Sequence, residues 1–176
     1  MTTIVFLFIC SLPLPSLAAD GVVSSSVDLK IWGRAVLNTH YDTDDVRGFT
    51  DFATYLTGEG EGEMNFNPRD TRFGFAGATE NGGNNYRCVF EMDFYGSNAG
   101  NNLLPRMRLG YVEMKTAGGF MLRAGQDWIP VAKQNPGTID FGILSWGGNL
   151  WWRVPQITAT KKTGDVELLA SLMKHR

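Results

Sequence analysis

The residues that could do chemistry are mainly arginines and carboxylates that recur at alternate positions within apolar stretches. The basic members are Arg34, Arg72, Arg87, Arg106, Arg108 and Arg123, and the acidic members are Glu91, Asp93, Asp127 and Asp140. Alternate side chains of a β-strand lie on the same face of a sheet, so most of these charges would share one face. A row of fixed charges that faces water attracts and sorts ions, without any bond being made or broken.

The sequence offers no arrangement typical of catalysis or metal binding. His40 and His175 lie far apart in sequence, and Cys88 stands in an apolar stretch, so no Cys–His pair suggests a nucleophile. The acidic segment 42–51 departs from a calcium loop, because Val46 stands where an oxygen ligand is needed. We therefore expect neither an enzyme nor a cofactor nor a metal site.

The net charge and the N-terminal segment limit the classes of protein to which the chain could belong. The net charge of −2 excludes a strongly basic protein and gives no reason to expect nucleic acid. Ile4–Leu17 is an apolar run too short to span a bilayer, and small residues follow it. We predict a signal peptide over 1–19, cut after Ala18 or Ala19, and one domain over 20–176. Export would remove Cys10 and leave no partner for Cys88, so no internal disulfide is expected.

Period-two alternation of apolar and polar residues predicts seven strands of about ten residues. The predicted strands are Val27–Tyr41, Thr71–Thr79, Tyr86–Tyr95, Arg106–Lys115, Phe120–Asp127, Trp152–Lys161 and Val166–His175. In the fourth of these, Met107, Leu109 and Tyr111 would share the apolar face. This length suits a tilted strand that crosses an outer membrane, whereas ordinary soluble strands average about five or six residues.

The connections between these strands alternate in length. Asp42–Asp70 and Trp128–Trp151 are long and Gly96–Leu104 is intermediate, whereas Glu80–Asn84, Thr116–Gly119 and Lys162–Asp165 are short. Short turns at one rim and long loops at the other are typical of outer-membrane barrels. A sheet in hydrocarbon must close on itself, because every backbone donor and acceptor needs an internal partner.

Several segments, in this order, resemble a known family. Arg106-Met-Arg-Leu-Gly-Tyr-Val-Glu-Met114 and Leu122-Arg-Ala-Gly-Gln-Asp-Trp128 resemble Gram-negative outer-membrane porins. Pro136-Gly-Thr-Ile-Asp-Phe-Gly142 and Trp152-Arg-Val-Pro-Gln-Ile157 resemble the DcaP-like branch, and Asn67–Gly74 resembles the second strand of such barrels. The resemblance extends over about 27–176.

The resemblance implies an all-β fold, an antiparallel transmembrane β-barrel of the porin type. The family's barrel has sixteen strands and is usually a trimer, and its third long loop narrows the pore. That loop corresponds to Trp128–Trp151, so Asp127 and Asp140 are assigned to the constriction. The chain departs from the family because it ends after about seven strands, without a terminal strand ending in an aromatic residue. We therefore expect an incomplete N-terminal portion of the barrel.

The charged face has two interpretations. In the first, a basic wall faces an acidic constriction loop and selects solutes by charge, with a slight basic excess that favours anions. In the second, the charges pair with one another and simply line a wet wall.

The resemblance predicts a passive channel for small hydrophilic solutes in the outer membrane, in contact with lipid. The alternative is a secreted or surface all-β binding protein, such as an adhesin or a glycan-binding sandwich. The apolar face discriminates between them, since it meets lipid in a barrel and forms a buried core in a sandwich.

Overall fold

The chain folds as a set of antiparallel strands. The computed structural model describes residues 27–43, 45–47, 55–58, 63–96, 103–131 and 152–174. The strands within these ranges are β1 (Asp28–Arg34), β2 (Asn38–Asp42), β3 (Asp45–Arg47), β4 (Tyr55–Gly58), β5 (Glu63–Asn67), β6 (Arg72–Asn81), β7 (Asn84–Asp93), β8 (Arg106–Lys115), β9 (Phe120–Trp128), β10 (Arg153–Thr163) and β11 (Val166–Met173). The same ranges contain no helix long and apolar enough to cross a bilayer. The predicted all-β class is confirmed.

Seven of the strands form one large sheet, in the order β1-β6-β7-β8-β9-β10-β11, with every neighbouring pair antiparallel. Strands β6, β7 and β8 have 10 residues each, β9 has 9 and β10 has 11. At about 3.3 Å per residue and a tilt of about 40°, ten residues rise about 25 Å, the height of the apolar band of an outer-membrane barrel. The predicted number and length of the long strands agree with this sheet.

Three tight turns join successive strands at one rim of the large sheet. Gly82 and Gly83 form the turn between β6 and β7 with φ angles of 59° and 75°, which a type I′ turn requires. Between β8 and β9 the backbone N–H of Thr116 donates to the carbonyl of Phe120 at 2.8 Å. Gly164, with φ of 59°, begins the turn between β10 and β11. Short connections were predicted at all three places.

The first predicted strand is divided in the structure. β1 ends at Arg34 and pairs with β6, whereas β2 begins at Asn38 and pairs with β5. At the interruption, the Thr71 hydroxyl accepts a hydrogen bond from Val36 N–H and donates to the Val36 carbonyl. This side chain takes the place of a strand partner, so the backbone groups stay satisfied where the ladder is broken.

The segment 42–70, predicted as a long loop, contains further strands. β2 pairs with β5 and β3 pairs with β4, which gives two small two-stranded sheets. Tyr41 lies opposite Met64, and Thr39 lies opposite Phe66. These residue types favour strands, and their pairing across the hairpin outweighs the glycine-rich and acidic sequence between them.

Burial in the large sheet is the reverse of that in a soluble sheet. The large apolar side chains of one face are exposed to the surroundings, among them Leu29, Ile31, Phe73, Phe75, Ile157, Leu168 and Leu172. The buried side chains include charged and polar ones on the opposite face, namely Asp93, Arg108, Asp127, Gln156, Thr158 and Thr160. Of the described apolar residues, only Ala76, Val89, Ile129 and Val154 are buried.

Candidate pore-lining face

The antiparallel register brings the predicted charges together on one side of the large sheet. This polar face carries Arg34, Asp70, Arg72, Arg87, Glu91, Asp93, Arg106, Arg108, Glu113, Arg123 and Asp127, followed by Gln156, Thr158 and Ser171 towards β11. The face forms because side chains alternate along each strand and antiparallel pairing aligns like faces.

A buried carboxylate forms the centre of the polar face. Asp93 at the end of β7 is fully buried and accepts two hydrogen bonds from Arg106, at 2.9 and 2.6 Å. Arg108 donates to Asp93 at 2.9 Å and to Glu91 at 2.7 Å. These charge-assisted bonds fix the two arginines of β8 against the carboxylates of β7.

The network continues to β6 and β1. Asp70, in the turn before β6, accepts hydrogen bonds from Arg34 and from Arg72, the latter at 3.0 Å. The Nε of Arg72 lies 3.9 Å from an Oε of Glu91. Glu91 also binds Arg108, so ion pairs connect the four neighbouring strands β1, β6, β7 and β8 across the polar face.

A tryptophan of β1 lies against the same network. The indole N–H of Trp32 donates to Glu91 at 3.3 Å. Its ring lies over Gly74, the cross-strand neighbour of Trp32 on β6. The glycine leaves room for the ring close to the backbone, so an aromatic surface is held between the ion pairs and the sheet.

Arg123 on β9 is held by two carboxylates and a ring. It donates to Glu113 from Nε at 2.9 Å and also binds Asp127. Its guanidinium lies over the ring of Tyr111, with 4.4 Å between Cζ and the ring centroid, a cation–π arrangement. A carboxylate pair and an aromatic face therefore fix this cation in the middle of the polar face.

The position of Tyr111 corrects the predicted alternation of β8. Met107 was predicted to share the apolar face with Tyr111, but the register between β7 and β8 shifts at Glu91/Met92. Such a bulge changes the side of the sheet on which later residues lie. Tyr111 consequently lies with Arg123 on the polar face.

In the middle of β10 and β11 the polar face carries uncharged side chains. The hydroxyls of Thr158 and Ser171 lie 2.8 Å apart, and both donate to the side-chain carbonyl of Gln156 at 3.1 Å. The amide nitrogen of Gln156 donates to the backbone carbonyl of Trp128 at 2.8 Å. The polar face therefore has a network of ion pairs on β1 and β6–β9 and a neutral hydrogen-bonded cluster in the middle of β10 and β11.

The eight residues that were predicted to line a pore all lie on the polar face, and of the two assigned to the constriction loop only Asp127 lies within the described residues. Asp127 lies within β9 and binds Arg123, because the strand continues to Trp128. Asp127 therefore lies in the strand that precedes the loop, and its role at the constriction stays a prediction. Asp140 lies outside the described residues.

Two charged residues of this face were missed from the sequence. Glu113 lies opposite both Arg87 and Arg123, but the bulge in β8 concealed its face. Arg153, the first residue of β10, lies with its Cζ 4.7 Å from the ring of Trp128. Pro155 made the register of this strand ambiguous in the sequence.

The described polar face presents mainly charged and hydroxyl-bearing side chains. In the described ranges, no three His, Cys, Asp or Glu side chains are grouped so that they could hold a metal ion. What the face offers a solute is fixed guanidinium and carboxylate charge, hydroxyls and aromatic rings on a rigid sheet.

No family model and no curated protein matches the chain. Among solved structures, it is similar to the outer membrane channel DcaP of Acinetobacter baumannii, with 22% sequence identity and a TM-score of 0.70. The similarity covers 86% of this chain and 42% of the channel, so the chain spans less than half of that protein. The chain therefore has the fold of a porin-type antiparallel β-barrel, of which the described residues form seven neighbouring strands that do not close.

Proposed function

We propose that the chain forms part of the wall of an outer-membrane porin, a water-filled channel through which small hydrophilic solutes diffuse passively. The observation that carries this proposal is the reversed burial of the large sheet. Its apolar face is exposed, while Asp93 and Arg108 on the opposite face are buried.

A membrane barrel accounts for this reversal. Lipid can cover an apolar outer face, and water in the lumen solvates charges on the inner face. In a soluble sandwich the apolar face would instead pack against a second sheet. Ile31 and Leu172, on the first and last strands of the large sheet, are 72% and 75% exposed, so the described residues supply no such second layer. The secreted or surface binding protein is therefore the less supported alternative.

We further propose that the channel selects by charge and prefers anions. Pairing neutralises most of the face, because each of Asp70, Glu91, Asp93, Glu113 and Asp127 binds at least one arginine. Among the arginines of the polar face, Arg87 and Arg153 have no carboxylate partner in the described residues. Both interpretations of the charged face thus contribute, and the anion preference is proposed to come from these two unpaired arginines.

The cellular setting follows from the same proposal. We expect export guided by the signal peptide at 1–19, insertion into the outer membrane and contact with its lipids. Assembly into a homotrimer is implied by the porin resemblance, and it would be tested by crosslinking in detergent.

Two measurements test the proposal. In detergent phase partitioning, we expect the purified chain to enter the detergent-rich phase. The complete barrel, meaning this chain together with the strands that close its sheet, is then reconstituted in a planar bilayer under a salt gradient. We expect stepwise currents whose reversal potential has the sign of an anion-preferring pore. A chain that stays in the aqueous phase, with a complete protein that gives no current steps, would reject the porin and favour the soluble binding protein.

A further inference from the structure

Arg153 differs from the other arginines of the polar face. Its side chain is half-buried, and its Nη1 is shielded from solvent without a hydrogen-bond partner. No carboxylate of the described residues forms an ion pair with it. Shielding a guanidinium N–H without an acceptor costs free energy, so such a group has the chemistry of a vacant binding position.

The described carboxylate whose charge acts on Arg153 is Asp93, and it is already occupied. Asp93 binds Arg106 and Arg108. Moving Asp93 towards Arg153 would break these short bonds. A partner for Arg153 is therefore more readily supplied from outside the network.

Trp128 separates Arg153 from that network. The indole contacts the guanidinium of Arg153 at 4.7 Å and that of Arg108 at 5.8 Å, measured from Cζ to the ring centroid. An aromatic ring stabilises a guanidinium through its π face but accepts no strong hydrogen bond from it. Trp128 therefore orients the guanidinium of Arg153 and leaves its Nη1 without an acceptor.

We propose that Arg153, seated on the indole of Trp128, binds one oxyanion, a carboxylate or phosphate group carried by a solute. Such groups accept hydrogen bonds from a planar guanidinium, and one of them would supply the acceptor that Nη1 lacks. The inference rests on the proposed function, since a pore would bring such solutes to this face. It assigns anion binding to Arg153 and not to the arginines that carboxylates already neutralise.

The test uses the full chain refolded in detergent micelles, with arginine side chains labelled with ¹⁵N. Inorganic phosphate and, separately, acetate are titrated at constant ionic strength while the arginine Nε–H signals are recorded. The Arg153 signal, identified by its loss in Arg153→Lys, is expected to shift saturably, whereas those of Arg106 and Arg108 stay nearly constant. A larger response to one of the two anions identifies the class of solute group.

Substitutions distinguish specific anion binding at Arg153 from general electrostatic attraction by the whole polar face. Arg153→Gln is expected to weaken phosphate binding about tenfold or more, the usual effect of losing charge-assisted hydrogen bonds. Arg87→Gln removes the same charge from an exposed position of the face and is expected to retain binding. Arg153→Lys keeps the charge and the fold but loses the planar fork, so its affinity should be intermediate.

Unchanged binding in Arg153→Gln, or an equal loss in Arg87→Gln, would overturn the site. The outcome is independent of the channel itself. Arg153-dependent binding without ion current would reject the pore and support the anion site. Ion current without Arg153-dependent binding would support the pore and reject the anion site.

Discussion

The indole of Trp32 occupies the space that a side chain at Gly74 would need. A Cβ at Gly74 would lie 2.7 Å from Cζ2 of the ring and 2.6 Å from the carbonyl oxygen of Phe90. The same ring is tied to the ionic network, because its N–H donates to Glu91. Because position 74 has no side chain, the indole of Trp32 can lie directly against the backbone on the polar face.

Gly74→Ala is therefore expected to destabilise the fold. The added methyl group meets both the ring and the backbone, and overpacking of this kind costs about 1–3 kcal/mol. The free energy of unfolding is measured by urea titration of the detergent-refolded chain, followed by tryptophan fluorescence.

The control for that substitution is Gly118→Ala, in the turn between β8 and β9. The nearest atom to its Cβ would be the Thr116 hydroxyl at 3.9 Å, an ordinary contact. Equal stability of the two variants would contradict the packing of Trp32 on Gly74.

Asp93→Asn is expected to weaken the fold through its ion pairs. The carboxylate is fully buried and binds Arg106 and Arg108, so the amide removes a counter-charge that the two guanidiniums share. Only Arg106 loses its sole carboxylate, since Arg108 keeps Glu91. We therefore expect a loss of about 3 kcal/mol, at the low end for breaking a buried pair. The unfolding free energy in urea provides the measurement.

Two further variants test this interpretation of Asp93. Asp165→Asn removes the same charge from the exposed turn between β10 and β11 and should change stability little. Asp93→Asn combined with Arg106→Gln should cost less than the sum of the single changes, since the two side chains share one interaction. Strict additivity would mean that the pair contributes no coupling.

The large sheet could be predicted because its side-chain pattern has a single simple period. Seven alternating stretches and three glycine-containing turns are local signals, and each corresponds to a strand or turn of the structure. The small sheets formed by β2–β5 and β3–β4 could not be predicted in this way. Their strands have 3 to 5 residues, too few for alternation to stand out.

The charged face was predictable in composition but not in pairing. The alternating pattern predicted the side of the sheet on which Arg106 and Arg108 lie. The bulge that moves Tyr111 to the same side depends on contacts between strands. Partners such as Glu113 and Arg123 are 10 residues apart in sequence and meet only through the register of β8 and β9. No local pattern specifies such a register.

Gly125→Ala is expected to lower the stability of the large sheet and to disturb the polar face around Arg123. Gly125 has a φ of 133°, which side-chain-bearing residues rarely adopt, and its Cβ would lie 2.2 Å from the carbonyl oxygen of Gly110. The backbone strain alone costs about 1–3 kcal/mol. Its neighbour across the sheet is Tyr111, so the contact between Tyr111 and Arg123 should loosen as well. Urea unfolding measures the stability.

A second glycine provides the comparison for Gly125. A Cβ at Gly77 would meet only side-chain atoms, those of Cys88 and Val27, both at 3.2 Å. Gly77→Ala should therefore be the milder change. If both substitutions cost the same, the conformation of Gly125 has no special role.

Ile157→Arg distinguishes a membrane wall from a soluble sheet. Ile157 lies mid-strand in β10, and its side chain on the apolar face is 52% exposed. In water, a charge at an exposed position changes stability by about 0.5 kcal/mol or less. At the middle of a bilayer, arginine on the lipid-facing side costs about 2–4 kcal/mol.

The position along the strand supplies the control. Val166→Arg places the same charge at the first residue of β11, beside the short turn and thus at the expected edge of the bilayer. There the cost should be about 0–1 kcal/mol. The two variants are compared by urea unfolding from lipid vesicles. A large loss for Ile157→Arg with a small one for Val166→Arg supports lipid contact, whereas two negligible losses would place the apolar face in water and contradict the porin.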